Sequence, residues 1–165
     1  MTITRRERMR RALNHEPVDR IPTQVNYTRA MGQRMAASLG VAADELPGRL
    51  GNHLLRVDIA HEQRRSDDGR IALDWWGVGF DTEQEGSFAA VHPLADSKDL
   101  DAYAWPDPST PNLLEGAARI MADDGGARFC VPNLGFALFE RAWTLRGFDT
   151  FLLDMVLDPG SVSYT

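Results

Sequence analysis

A chain of 165 residues has the length of one domain, and 43% hydrophobic with 25% charged residues is a globular composition that excludes collagen, coiled-coil and disordered readings. Lys and Arg total 18 against 24 Asp and Glu, a formal charge of -6 that argues against binding nucleic acid, and a single cysteine excludes an internal disulfide. No apolar run approaches the roughly 18 residues of a membrane span and no signal-peptide pattern opens the chain, so a cytoplasmic protein with no membrane partner is expected.

Thr4-Arg5-Arg6-Glu7 has capping-box spacing and predicts a helix over 5–14. Met9, Ala12 and Leu13 form its apolar stripe, which leaves Arg5, Arg6, Arg8, Arg10 and Arg11 on the solvated side. Pro17 and Pro22 force an extended exit, followed by a first strand over 21–27. A helix over 29–39 stops at Gly40, a short helical piece covers 43–50, and a second strand spans 54–60. Strand, helix, strand suggests parallel pairing.

Between Gly69 and Pro93 the pattern becomes that of short strands, 71–80 and 87–91, read as an inserted antiparallel hairpin. Trp105-Pro106-Asp107-Pro108 is a loop. Leu113, Ala117, Ile120 and Met121 stripe the next helix, which ends at Gly125-Gly126, and 129–132 is a third strand. Phe136, Phe139 and Trp143 mark a helix closed by Gly147, and Phe148, Phe151, Leu152, Met155 and Val156 mark one more before Asp158-Pro159-Gly160. There is no internal repeat.

Three segments together resemble the uroporphyrinogen decarboxylase superfamily, which includes corrinoid and coenzyme M methyltransferases. They are Arg5 to Pro22, reading RRERMRRALNHEPVDRIP; Asp74-Trp75-Trp76-Gly77 with Pro93-Leu94 and Trp105-Pro106-Asp107-Pro108; and Gly135 to Gly147 with Phe151-Leu152-Leu153-Asp154 and Asp158-Pro159. The second segment is similar to the methyltransferase-type members. The resemblance implies an α/β fold of the (β/α)8 TIM-barrel type with its site at the carboxyl ends of the strands. A full barrel takes about 250 residues, so residues 1–165 are expected to be one N-terminal portion, incomplete and carrying the inserted hairpin. Open strand edges favour a homodimer or a complementary C-terminal half as partner.

Asp58, near the end of the second strand, resembles the decarboxylase aspartate that faces the pyrrole nitrogens, where an anion stabilises a cationic intermediate. A solvated Asp at a strand exit is the plain alternative, with equal weight. His61 and Glu62 follow on the same loop as proton-transfer partners or solvated residues. In the decarboxylase an arginine-rich segment after the first strand grips substrate carboxylates. Here Tyr27 stands where the first of those arginines would be, next to Asn26, and Arg29 and Arg34 lie on the helix beyond. Trp143 replaces the decarboxylase tyrosine.

These departures favour the methyltransferase-like branch, in which zinc holds a thiol substrate as thiolate for attack on a corrinoid-bound methyl group. Its His and Cys ligands belong to the second half of the barrel. Cys130 with His15, His53, His61 and His92 shows no zinc-like spacing, so no metal is expected on this chain alone. Asn133 and Gly135, at the end of the third strand, are placed to reach a ligand, whereas Glu140 and Arg146 read as helix surface. Trp75 and Trp76 either line a flat macrocycle pocket or pack a hairpin, the second being favoured about two to one.

The leading expectation is a tetrapyrrole or corrinoid small-molecule site with Asn26, Tyr27, Asp58, His61 and Asn133 along one wall. The alternatives are a porphyrinogen decarboxylase using Asp58 and Arg29, and a non-catalytic half-barrel that pairs with a second chain.

Overall fold

A computed structural model describes residues 3–59, 64–83, 88–96 and 100–164. In chain order the elements are α1 (Arg5–Leu13), α2 (Arg29–Leu39), α3 (Leu46–Arg49), β1 (Leu54–Val57), β2 (Arg64–Arg65), β3 (Ile71–Leu73), β4 (Gly79–Asp81) and β5 (Ala89–Val91). They continue with α4 (Glu115–Asp124), β6 (Phe129–Pro132), α5 (Leu138–Arg146), α6 (Phe148–Leu157) and α7 (Pro159–Tyr164). The fold is mixed α/β, with a parallel pair, β1-β6, and an antiparallel sheet, β2-β3-β4-β5, neither of which closes into a ring. Among the described residues no helix is long and apolar enough to cross a membrane.

The chain divides into two compact units, the first made of Met1–Ala60 and Asn112–Asn133. Its helices start and stop where side-chain chemistry dictates. The Thr4 hydroxyl accepts from the Glu7 amide and the Thr28 hydroxyl from the Met31 amide, while Gly40 (φ 63°) and Gly125 (φ 58°) take the left-handed cap conformation. β1 and β6 run parallel in the register Leu54↔Phe129 through Val57↔Pro132. Leu55 and Val57 are buried against Ala117 of α4, with Cys130 packed beside them. Burying a Leu or Val side chain stabilises the fold by about 1.5–3 kcal/mol, so this small cluster holds the helix on the strand pair.

Three expectations for this unit are corrected. Residues 21–27 are extended but form no strand, because Pro22 lacks an N–H and side chains take the positions of ladder partners. The Asn52 amide accepts from Val25 N–H (2.9 Å) and donates to the Val25 carbonyl (3.1 Å), and Gln24 Oε1 accepts from Leu54 N–H (3.1 Å). Arg8 is not solvated but 3% exposed, and Leu13, assigned to the apolar stripe, is 57% exposed. Ile120 and Met121, also assigned to an apolar stripe, are 45% and 47% exposed.

The second unit comprises His61–Pro111 and Leu134–Thr165. The expected hairpin is a four-stranded meander, because the run 71–80 breaks at Asp74. The Asp74 Oδ1 accepts from the amides of Trp76 and Val78 (both 2.9 Å) and Gly77 adopts φ 72°, which turns the chain between β3 and β4. Gly79 follows where no side chain fits: a Cβ there would lie 2.6 Å from Ile71 and 2.7 Å from Val91. Val78, Leu94 and Leu145 form the buried core, with Trp76, Phe80 and Tyr103 packed around them. The Tyr103 hydroxyl donates to the Trp76 carbonyl. Burial, reinforced by the negative charge of Asp74, pushes its phenol up to about 12, so it stays a donor at all ordinary pH.

Candidate functional site

Because β1 and β6 are parallel and Val57 stands opposite Pro132, the next residue of each strand, Asp58 and Asn133, emerges at the same end. The Asn133 N–H donates to the Val57 carbonyl (2.8 Å), extending the pairing by one step beyond the strands. The Asn133 side-chain amide then donates to Asp58 Oδ1 (2.5 Å) across 75 residues of sequence. Asp58 is exposed and Asn133 half-buried. The result is a carboxylate fixed in direction by a neutral amide, presented at the carboxyl ends of parallel strands, the end at which open α/β sheets bind ligands. Such a group accepts hydrogen bonds from a cationic or N–H-bearing ligand and stabilises positive charge that develops beside it.

Asn26 and Tyr27 lie together in a cleft of about 270 Å³ whose other walls include Asn52, Arg56 and Arg128. The Tyr27 ring rests on Gly32 of α2, where a Cβ would meet it at 2.8 Å. Neither Asp58 nor Asn133 is among the residues that line this cleft. Arg29 is the exposed first residue of α2, just after its cap, Thr28. The structure thus joins Asp58 to Asn133 and Asn26 to Tyr27. His61 and its neighbour Glu62 lie outside the described residues.

The most connected polar group of the first unit was hidden among five similar arginines. Arg8 donates through Nε and Nη2 to both oxygens of Asp19 (2.6 and 2.8 Å), through Nη2 to the Ile3 carbonyl (3.0 Å), and through Nη1 to His53 Nε2 (3.0 Å). A guanidinium can only donate, so Nε2 of the fully buried His53 accepts and its proton sits on Nδ1, 3.0 Å from the Thr23 carbonyl. The hydrogen bonds from Arg8 hold the Asp19 carboxyl at about 2, and Asp19 in turn raises the guanidinium. This network fastens α1 to the start of β1. The sequence signal was the position of Arg8 one turn before Ala12, on the inner face of α1.

Cys130 is packed against the β1–α4 core, both His53 ring nitrogens are engaged, and His92 Nδ1 is 2.7 Å from the Thr144 carbonyl. Among the described residues no three His, Cys, Asp or Glu side chains are grouped to hold a metal ion. No protein-family model, curated protein or solved structure matches the chain.

Proposed function

We propose that this chain is the N-terminal part of a (β/α)8 barrel of the uroporphyrinogen decarboxylase superfamily, similar to its corrinoid and coenzyme M methyltransferases, and that it carries one wall of a tetrapyrrole or corrinoid site. The supporting observation is the parallel β1-β6 pair with Asp58 and Asn133 side by side at its carboxyl ends. In this reading Asp58 accepts hydrogen bonds from ligand amide or N–H groups and Asn133 keeps its carboxylate pointed at them. The remaining strands, and any zinc ligands, come from a complementary half or a second copy. The protein works in the cytoplasm.

The test is a titration of the chain with methylcobalamin, followed by visible absorption. Saturable binding weakened about tenfold or more by Asp58→Asn supports the reading, since a hydrogen bond to a charged group is worth about 1.5–3 kcal/mol. Decarboxylation of uroporphyrinogen, lost in Asp58→Asn and slowed in Arg29→Ala, would transfer the site to the porphyrinogen decarboxylase reading. If neither binding nor turnover is found, both fall and the non-catalytic half-barrel stands.

A further inference from the structure

The cleft of about 270 Å³ that holds Asn26 and Tyr27 is also lined by Leu54 and Arg56 of β1. Successive residues of a strand face opposite sides, so with Leu55 and Val57 buried against α4, Leu54 and Arg56 stand on the far face of the sheet. Arg56 is exposed there, and its guanidinium makes no hydrogen bond or ion pair among the described residues. The carboxylate two residues on, Asp58, is turned to Asn133 and does not line the cleft.

The other polar groups of the cleft divide into committed and free. Arg128 is engaged by Asp124, the Asn52 amide by the Val25 backbone, and Gln24 Oε1 by the Leu54 N–H. The Asn26 side chain and the Tyr27 hydroxyl, like Arg56, have no partner among the described residues. No Asp or Glu lines the cleft, although the chain carries 24 acidic against 18 basic residues. One uncompensated cation, a phenol and an amide thus share a recess whose apolar walls include Val25 and Leu54.

We infer that this cleft binds a small organic monoanion, a carboxylate with a short apolar body. The carboxylate meets the Arg56 guanidinium, whose planar fork matches its two oxygens, with Tyr27 and Asn26 as further donors, and the body lies against Val25 and Leu54. A single charge fits because Asp124 already neutralises Arg128, which leaves Arg56 alone to be balanced. The volume lies just below that of sites for drug-sized molecules and limits the ligand to about one ring. Every residue invoked belongs to the first unit and Asp58 is not among them, so the inference stands whether or not Asp58 serves a corrinoid.

The probe is benzoate, with benzamide as its uncharged isostere and inorganic phosphate as an anion of higher charge, each titrated into the full chain carrying labelled tyrosine rings. Benzoate should shift the Tyr27 signal saturably with Kd below about 5 mM, and benzamide should bind at least about fivefold more weakly. Arg56→Gln removes the charge from an exposed position and should weaken benzoate about fivefold or more, whereas Arg20→Gln, at an exposed cation outside the cleft, should leave it unchanged. The comparison of benzoate with benzamide needs no variant and so decides the matter even if Arg56→Gln fails to fold. Absence of a saturable shift, equal affinity for benzoate and benzamide, equal effects of the two substitutions, or phosphate binding tighter than benzoate would overturn the proposal.

Discussion

Arg8 and Asp19, eleven residues apart, form a two-pronged salt bridge in which the guanidinium is 4% exposed and the carboxylate 41% exposed, and the same guanidinium reaches His53 behind it. Removing the cation would leave a buried imidazole nitrogen without its donor and a carboxylate without its partner. Arg8→Met should therefore lower the melting temperature by about 5–10 °C, where an exposed neighbour such as Arg6→Met moves it by only a degree or two. Equal effects of the two substitutions in thermal unfolding would refute the assignment of Arg8 as the hub.

The same contact sets an acid limit. Asp19 titrates at about 2 in the folded chain against an ordinary 3.8, so below about pH 4 the unfolded state binds more protons and stability falls with pH. The contribution is whole above pH 4 and is lost as pH drops toward 2. Glu7, held at about 2 by Arg10 and Arg11, adds to the same window. Melting temperatures measured from pH 5 to pH 2 should decline less steeply in Asp19→Asn than in the native chain, and parallel curves would contradict this.

Gly32 is where α2 lets the Tyr27 ring lie against its backbone. Gly32→Ala should displace that ring from the cleft it lines. The chain has three tyrosines, so selective tyrosine labelling gives few ring signals, and the one absent in Tyr27→Phe identifies the residue. In Gly32→Ala that signal should move toward its random-coil position; an unmoved signal would mean that Tyr27 is placed by something else.

Gly79 gives a separate measure of the antiparallel sheet. Ile71 and Val91, from the strands on either side of β4, both occupy the space of its absent Cβ. Gly79→Ala should cost about 1–3 kcal/mol by overpacking, read as a lower urea midpoint with unchanged slope. A neutral or stabilising outcome would argue against this register.

Much of the local structure was legible because single residues dictate it. Thr4 and Thr28 cap their helices, Gly40, Gly125 and Gly147 end theirs, and the runs 54–57 and 129–132 carry the apolar residues of a buried parallel pair. The failures share one cause: groups that act through a distant partner. Asn52 and Gln24 supply hydrogen bonds that a strand at 21–27 would have taken from backbone, and Arg8 is buried only because Asp19 and His53 wait for it. Asp74 reads as one polar residue in an alternating run until its carboxylate is seen to bind two amides and Arg141. For the candidate site, Asp58 was singled out by resemblance, within a strand expected over 54–60 that ends at Val57, and Asn133 by its place at the end of 129–132; their direct contact depends on the register, which composition does not encode. The cleft lined by Trp76, Trp105, Phe136 and Arg141 escaped notice because these residues lie as much as 65 positions apart in the sequence.

The central claim is that Asp58 meets the ligand and Asn133 acts through it. A double-mutant cycle on methylcobalamin affinity, with Asp58→Ala, Asn133→Ala and the pair, tests it most directly. The account predicts a loss of about tenfold for either single change and a double variant no weaker than Asp58→Ala alone. Additive losses, or full affinity in folded Asp58→Ala, would contradict it.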